Sequence, residues 1–287
     1  MKNLILASFL LIALFSCKKE TLVTVTGNGS PDDATVESTT IERYINRAYI
    51  IALGREPITT ELEMAKSDLL THHLDSTSRA TFVNSIFTKN EYLAHVYDQM
   101  KLNYLNNVDT SEFGQNIFVF SFYLADSTYM SSWPALQYEL SRMQLMQNAF
   151  SQFTSNQIDI RELQKRMCNN YDYDQINMGS ANFVLLSFKH LIGRNPTTSE
   201  LNYGVSMVEG NNSVIFLQAG NSKENFLDIL ISTNSYYEGQ VIQLYNNYLS
   251  RLPSAYEMSS GTLLFQSSQD YTTVQKKILV SNEFIGI

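Results

Sequence analysis

Cysteine, tryptophan, histidine and proline are all scarce in this chain of 287 residues, which has two, one, four and five of them. With only Cys17 and Cys168, a small disulfide-stapled scaffold is excluded, and the fold has to rest on burying apolar side chains. His72 and His73 are adjacent, so on a helix they point about 100° apart and do not clasp one metal ion. There is no glycine-rich phosphate loop, no G-x-S-x-G elbow and no H-E-x-x-H pair. Charge is sparse as well: 17% of residues are charged, 20 basic against 28 acidic, for a net charge of −8. No basic stripe is available to neutralise phosphates, so nucleic acid is not an expected partner. No catalytic residue, cofactor or metal ligand is assigned, and a non-enzymatic role is expected.

The hydrophobic content of 44% is ordinary for a globular protein, and its first concentration lies in "MKNLILASFLLIALFSC". Lys2 is followed by an apolar run from Leu4 to Phe15, too short to span a membrane, so residues 1–16 read as a signal peptide. Leu14, Phe15, Ser16 and Cys17 resemble the lipobox of bacterial lipoproteins, which implies cleavage before Cys17 and lipidation of its thiol. Loss of residues 1–16 removes one lysine and no acid, shifting the charge from −8 to −9, so anchoring would come from acyl chains rather than basic attraction to lipid. Residues 17–40 are rich in Thr, Ser, Gly and Asp and read as the lipidated cysteine and a flexible tether, with a reach of about 25 Å. Lipoproteins tethered in this way are common in the Bacteroidota, and the resemblance implies the outer membrane, with either leaflet open.

The folded part repeats itself. "YIIALGREPITTEL" (Tyr49 to Leu62), "FKHLIGRNPTTSEL" (Phe188 to Leu201) and "YNNYLSRLPSAYEM" (Tyr245 to Met258) align without gaps. Their common positions suit a corner between two helices. Gly54 and Gly193 can take the left-handed conformation that ends a helix, with Ser250 the weaker equivalent. Pro57, Pro196 and Pro253 then hold the chain out of the first helix and lead into the second. Thr197 with Glu200, and Ser254 with Glu257, have capping-box spacing; Glu61 stands at the same place, but Ile58 replaces the hydroxyl, so the cap is expected to slip to Thr59 or Thr60. Arg55, Arg194 and Arg251 could bind a carboxylate or phosphate ligand, yet three corners do not converge easily on one substrate. The expected role is local, bonding exposed carbonyls and a nearby carboxylate, with Glu91 and Glu283 as candidates.

A second piece recurs after each corner, "IFTKNEY", "LISTNSY" and "ILVSNEF", aligning Asn90, Asn234 and Asn282. A degraded corner, "LNNVDTSEF", lacks the arginine and proline but keeps Asp109 or Ser111 as a cap, with "LMQNAF" and Asn148 as its closing piece. Residues 41–150 are thus a first pair of repeats, 151–180 a connection and 181–287 a second pair. Such units bury their apolar faces only against neighbours, which predicts an all-α helical bundle or short solenoid of about ten helices in two sub-bundles. The motif resembles the tandem "LGR-x-P" repeats of a bacterial domain family of unknown function, phycobilisome-linker-like in appearance. That resemblance implies a helical scaffold and carries no chemistry over.

The remaining candidates each have a plainer reading beside them. Asn170, Asp172 and Asp174 match the first positions of a calcium loop, but Gln175 and Ala181 stand where glycine and glutamate are needed. Cys168 follows a helical run and is expected to pack as a small hydrophobe. "NIFVFSFYLA" is apolar enough for a buried helix, and Trp133-Pro134 opens another with Leu136, Leu140, Met143, Phe150 and Phe153 on one side. The function expected is a scaffold or adaptor with a protein partner in the envelope. A surface glycan or peptide binder using exposed aromatics is the alternative, and a hydrolase the more distant one.

Overall fold

The computed structural model describes residues 33–287; the expected signal peptide, Cys17 and most of the expected tether lie outside the described residues. The end of the expected tether is helical instead, because the first helix, α1, runs from Asp33 to Leu53. After Pro31 no proline or glycine occurs until Gly54, so nothing in the chain halts the helix earlier on that side. Ser38–Ile287 form one unit. Sixteen α-helices are present among the described residues, more than the expected ten because caps and short connections divide the chain into pieces of as few as four residues.

Four long segments end at the four corners. They are α1, α4 (Asn90–Leu105), the α10 segment (Ser180–Ser187, prolonged by a π turn at Phe188–Ile192) and α13 (Asn234–Leu249). After each corner two further helices follow. In the first unit these are α2 (Thr59–Thr71) and α3 (Ser76–Phe87), and in the fourth α14 (Ala255–Ser268) and α15 (Thr272–Leu279), before the short α16 (Asn282–Ile285). The third unit has α11 (Thr198–Val208) and α12 (Lys223–Ser232), joined by a two-stranded antiparallel hairpin of β1 (Ser213–Ile215) and β2 (Gln218–Gly220).

The second unit departs from this plan. Helices α5 (Thr110–Ala125) and α6 (Trp133–Gln147) pack along each other as a hairpin, followed by α7 (Ala149–Thr154), α8 (Ile160–Cys168) and α9 (Tyr171–Ile176). The closing contact of the third and fourth units recurs not at Asn148 but at Asn170. Thr233 and Ser281 accept from Tyr236 and Phe284 three residues on, and the Asn170 side chain accepts from Tyr173 in the same way at 2.8 Å. The inserted piece is therefore the α5–α6 hairpin, and "LQKRMC" in α8 corresponds to "VQKKIL" in α15.

The units meet as a closed set. α8 packs on α12, and α15 packs on α3, bringing the fourth unit back to the first. Arg47 in α1 donates to the carbonyl of Phe284 at 3.0 Å and also to that of Tyr248. Tyr44 is buried against Phe82 and Phe284, edge to face. The two sets of repeats thus share one core rather than forming two sub-bundles.

Candidate functional site

The corner arginines were the residues the sequence singled out, and the structure places all three alike. Arg55 donates to both Glu61 oxygens at 2.7 and 3.0 Å, Arg194 to Glu200 at 2.8 and 2.7 Å, and Arg251 to Glu257 at 2.8 and 2.8 Å. Each also bonds the next residue's carbonyl and lies over the aromatic ring six residues back, Tyr49, Phe188 or Tyr245. Gly54, Gly193 and Ser250 have φ of 71°, 74° and 55°, the left-handed turn that ends the first helix. Pro57, Pro196 and Pro253 sit one residue before the cap rather than within the new helix, so they keep the corner extended.

Thr197 and Ser254 cap α11 and α14 with Glu200 and Glu257 as reciprocal acceptors. At the first corner the expected slip to Thr59 or Thr60 does not occur. Ile58 keeps the cap position without a side-chain acceptor, and Glu61 accepts from its amide at 3.0 Å, because the arginine fork fixes that carboxylate in place. Glu91 and Glu283 join Arg55 and Arg251, while Arg194 has Glu200 alone. Their arginine bonds hold Glu61, Glu200 and Glu257 down to about 2. The fork atoms of all three arginines are thus engaged by carboxylates and carbonyls of their own corner.

The other sequence candidates are likewise tied up separately. Asn170 caps α9, Asp172 accepts from Asn116 at 2.8 Å, and Asp174 pairs with Arg142 and Lys223 at 2.9 and 2.7 Å. The three do not face one point. Among the described residues no group of three His, Cys, Asp or Glu could hold a metal ion. Cys168 is fully buried, and burial pushes its thiol well above the ordinary range, the opposite of an activated nucleophile. Burial also lowers His190 to about 4; its Nδ1 lies 3.0 Å from the Tyr173 hydroxyl and its ring stacks on Tyr104.

Two features that sequence reasoning missed are open to solvent. One is a cavity of about 590 Å³ bounded by the end of α1, by α4, α8, α13 and by residues of the fourth unit. Its two main walls are repeat-equivalent helices, "NEYLAHVYDQMKLNYL" and "NSYYEGQVIQLYNNYL", which share Gln99 with Gln243, Asn103 with Asn247 and Tyr104 with Tyr248. Gln164, in the floor, donates to Gln240 at 2.8 Å, and Gln240 in turn donates to the Leu191 carbonyl at 3.0 Å. Tyr236 donates to Gln164 at 2.6 Å; the equivalent Tyr92 donates to Gln275, which donates to Tyr248 at 2.6 Å. The shared Gln and Asn spacing was the signal available in the sequence.

The other feature is the α5–α6 hairpin. "NIFVFSFYLA" is not a buried helix: Phe120 is buried, but Phe118 is 70% and Phe122 60% exposed, and Met130 beyond them is exposed too. α6 and α9 cover one side of α5, where Phe120 meets Tyr171 and Asn116 meets Asp172, and the side carrying Phe118, Val119 and Phe122 stays exposed. No described helix is long and apolar enough to cross a membrane. The fold defines an all-α protein built from four corner-and-helix units. No family model, curated protein or solved structure matches the chain.

Proposed function

We propose that the chain is a non-enzymatic lipoprotein of a bacterial outer membrane, tethered through Cys17, that serves as a scaffold or adaptor for another envelope protein. The observation that supports this is the α5–α6 hairpin, which interrupts the repeat plan to present Phe118, Phe122 and Met130 to solvent. Exposed apolar clusters of this kind are characteristic of protein contact surfaces. Between Gln115 and Tyr138 the only charged residue is Asp126, whose side chain accepts from Thr128 within its own turn, so the hairpin suits an apolar partner face. The "LGR-x-P" resemblance fits a scaffold, and Cys168, shut away from solvent, has no route to a substrate.

The test is a crosslinking pull-down from intact cells with the tagged native chain, a Phe118→Ser/Phe122→Ser variant and a Cys17→Ala variant. One defined envelope protein recovered with the native chain and lost with the hairpin variant is the expected result. Recovery that ignores the hairpin substitutions would remove this reading of the surface, and a Cys17→Ala chain that still fractionates with membranes would remove the anchor.

A further inference from the structure

The cavity between the repeat-equivalent helices α4 and α13 is lined by nineteen residues, and none of them is Asp, Glu, Lys or Arg. Seven are Asn or Gln and four are Tyr. An ionic ligand would give up its hydration there with no countercharge to replace it, which disfavours phosphates, carboxylates and amines. His95, the one imidazole in the lining, is shifted towards its neutral form by burial.

A side-chain amide presents one acceptor and two donors side by side, and a hydroxyl both donates and accepts, so amides match neighbouring hydroxyls. The cavity divides this capacity between floor and mouth. The floor amides Gln164, Gln240 and Gln275 are at most 3% exposed; Gln164 holds Gln240, and the three together engage three tyrosines and a main-chain carbonyl, which fixes their orientation in advance. At the mouth, Gln99, Asn103 and Asn247 are exposed and make no side-chain hydrogen bond within the described residues. The volume lies in the range of small-molecule sites, on the order of 300–1,000 Å³.

We propose that this cavity binds an uncharged oligosaccharide of a few sugar rings, with Gln99 and Asn103 on one wall and Gln243 and Asn247 on the other gripping its hydroxyls. The two walls carry the same amide pair, with Gln243 oriented by its own bond to the His190 carbonyl at 2.9 Å and keeping its amide oxygen for the ligand, which suits a ligand that repeats its own hydroxyl pattern. A peptide strand is the poorer match, because it needs an open-ended groove with main-chain partners in a row. This site is separate from the α5–α6 hairpin and does not depend on the adaptor reading.

The test is calorimetry of the full chain, carrying Cys17→Ala for solubility, against neutral tri- to hexasaccharides, an acidic oligosaccharide set and an uncharged peptide. The expected result is saturable binding of a neutral sugar that is unchanged by added salt and weakened at least about tenfold by Gln99→Ala or Asn247→Ala. Both positions are exposed, so their unfolding midpoints are expected to match the native chain and to keep lost binding distinct from lost folding. Binding of no neutral sugar, a preference for the acidic set or the peptide, or binding indifferent to both substitutions would each overturn the proposal.

Discussion

The corners and the α5–α6 hairpin use apolar and polar residues in opposite ways. At the corners every strong polar group finds its partner inside the fold: arginine, carboxylate, cap and carbonyl close on one another three times with the same connectivity. In the hairpin the phenylalanines at 118 and 122 face outwards although Phe113 and Phe120 of the same helix are buried. The contrast separates what the fold needs from what it leaves available, and substitutions in the two regions should differ accordingly.

The largest effect is expected where the frame has no slack. A Cβ on Gly239 would lie 2.2 Å from the carbonyl oxygen of Ile192 and 2.4 Å from its carbon, so Gly239→Ala must push α13 away from the third corner. A loss of about 3 kcal/mol is expected from chemical denaturation. If the variant is as stable as the native chain, the tight approach of corner and helix is not what holds the third unit.

Next comes the corner chemistry itself. Glu257→Gln keeps the shape but removes the charge that Arg251 holds, and about 1 kcal/mol should be lost at neutral pH. The sign with pH follows from the lowered carboxylates. Glu61, Glu200 and Glu257 sit at about 2 in the fold against 4.5 for the free group, so their contribution is complete above 4.5 and disappears as pH falls towards 2. The deficit of Glu257→Gln should therefore shrink over that interval, and a constant deficit would show that charge is not involved.

The joint between hairpin and frame should behave in the reverse sense. Burial raises Asp172 to about 6 from 3.8, and its Oδ2 has no partner, although Asn116 of α5 donates to Oδ1. A raised carboxyl favours the fold below 3.8 and loses that contribution as pH rises through 6. Asp172→Asn is expected to stabilise by about 0.5–1 kcal/mol at neutral pH, limited because the new amide N–H groups lack an acceptor, with the gain gone in acid. Thermal unfolding across pH distinguishes this from a simple packing change. The smallest effect belongs to the hairpin surface: Phe118→Ser with Phe122→Ser should leave stability within about 0.5 kcal/mol, and a large loss would mean that these rings already have a role in the core.

The ease with which each part could be read from sequence follows the same division. Gly54, Arg55, Pro57 and Glu61 lie within eight residues of chain, so their spacing specifies the corner; the bidentate pairing of Arg55 with Glu61 was not read, because Glu91 and Glu283 were the expected partners and Glu61 was assigned to the cap alone. Ile58 was misjudged because the arginine, which lies across the turn, positions Glu61 without help from a hydroxyl. The cavity was not legible in this way. Gln99 and Asn103, four apart on α4, look like any solvated helix face until α13 brings Gln243 and Asn247 opposite them. Asn148 looked like the end of the second unit because the letters match, whereas Asn170 earns that place only through its bond to the amide of Tyr173. The hairpin was misread because hydrophobicity reports a preference for burial and not whether the fold supplies a cover.

Closure of the four units has a consequence for how the chain reaches this state. Arg47 meets Phe284 across 237 residues and Tyr248 across 201, and Tyr92 meets Gln275 across 183. Contacts of such long sequence separation cannot form until the intervening chain has been gathered, which slows folding even in an all-helical protein. An open solenoid could settle its first repeat early, but here α1 lacks its carbonyl partners until the fourth unit arrives. Folding is therefore expected to be concerted, with the first unit completed only when the fourth has docked against it.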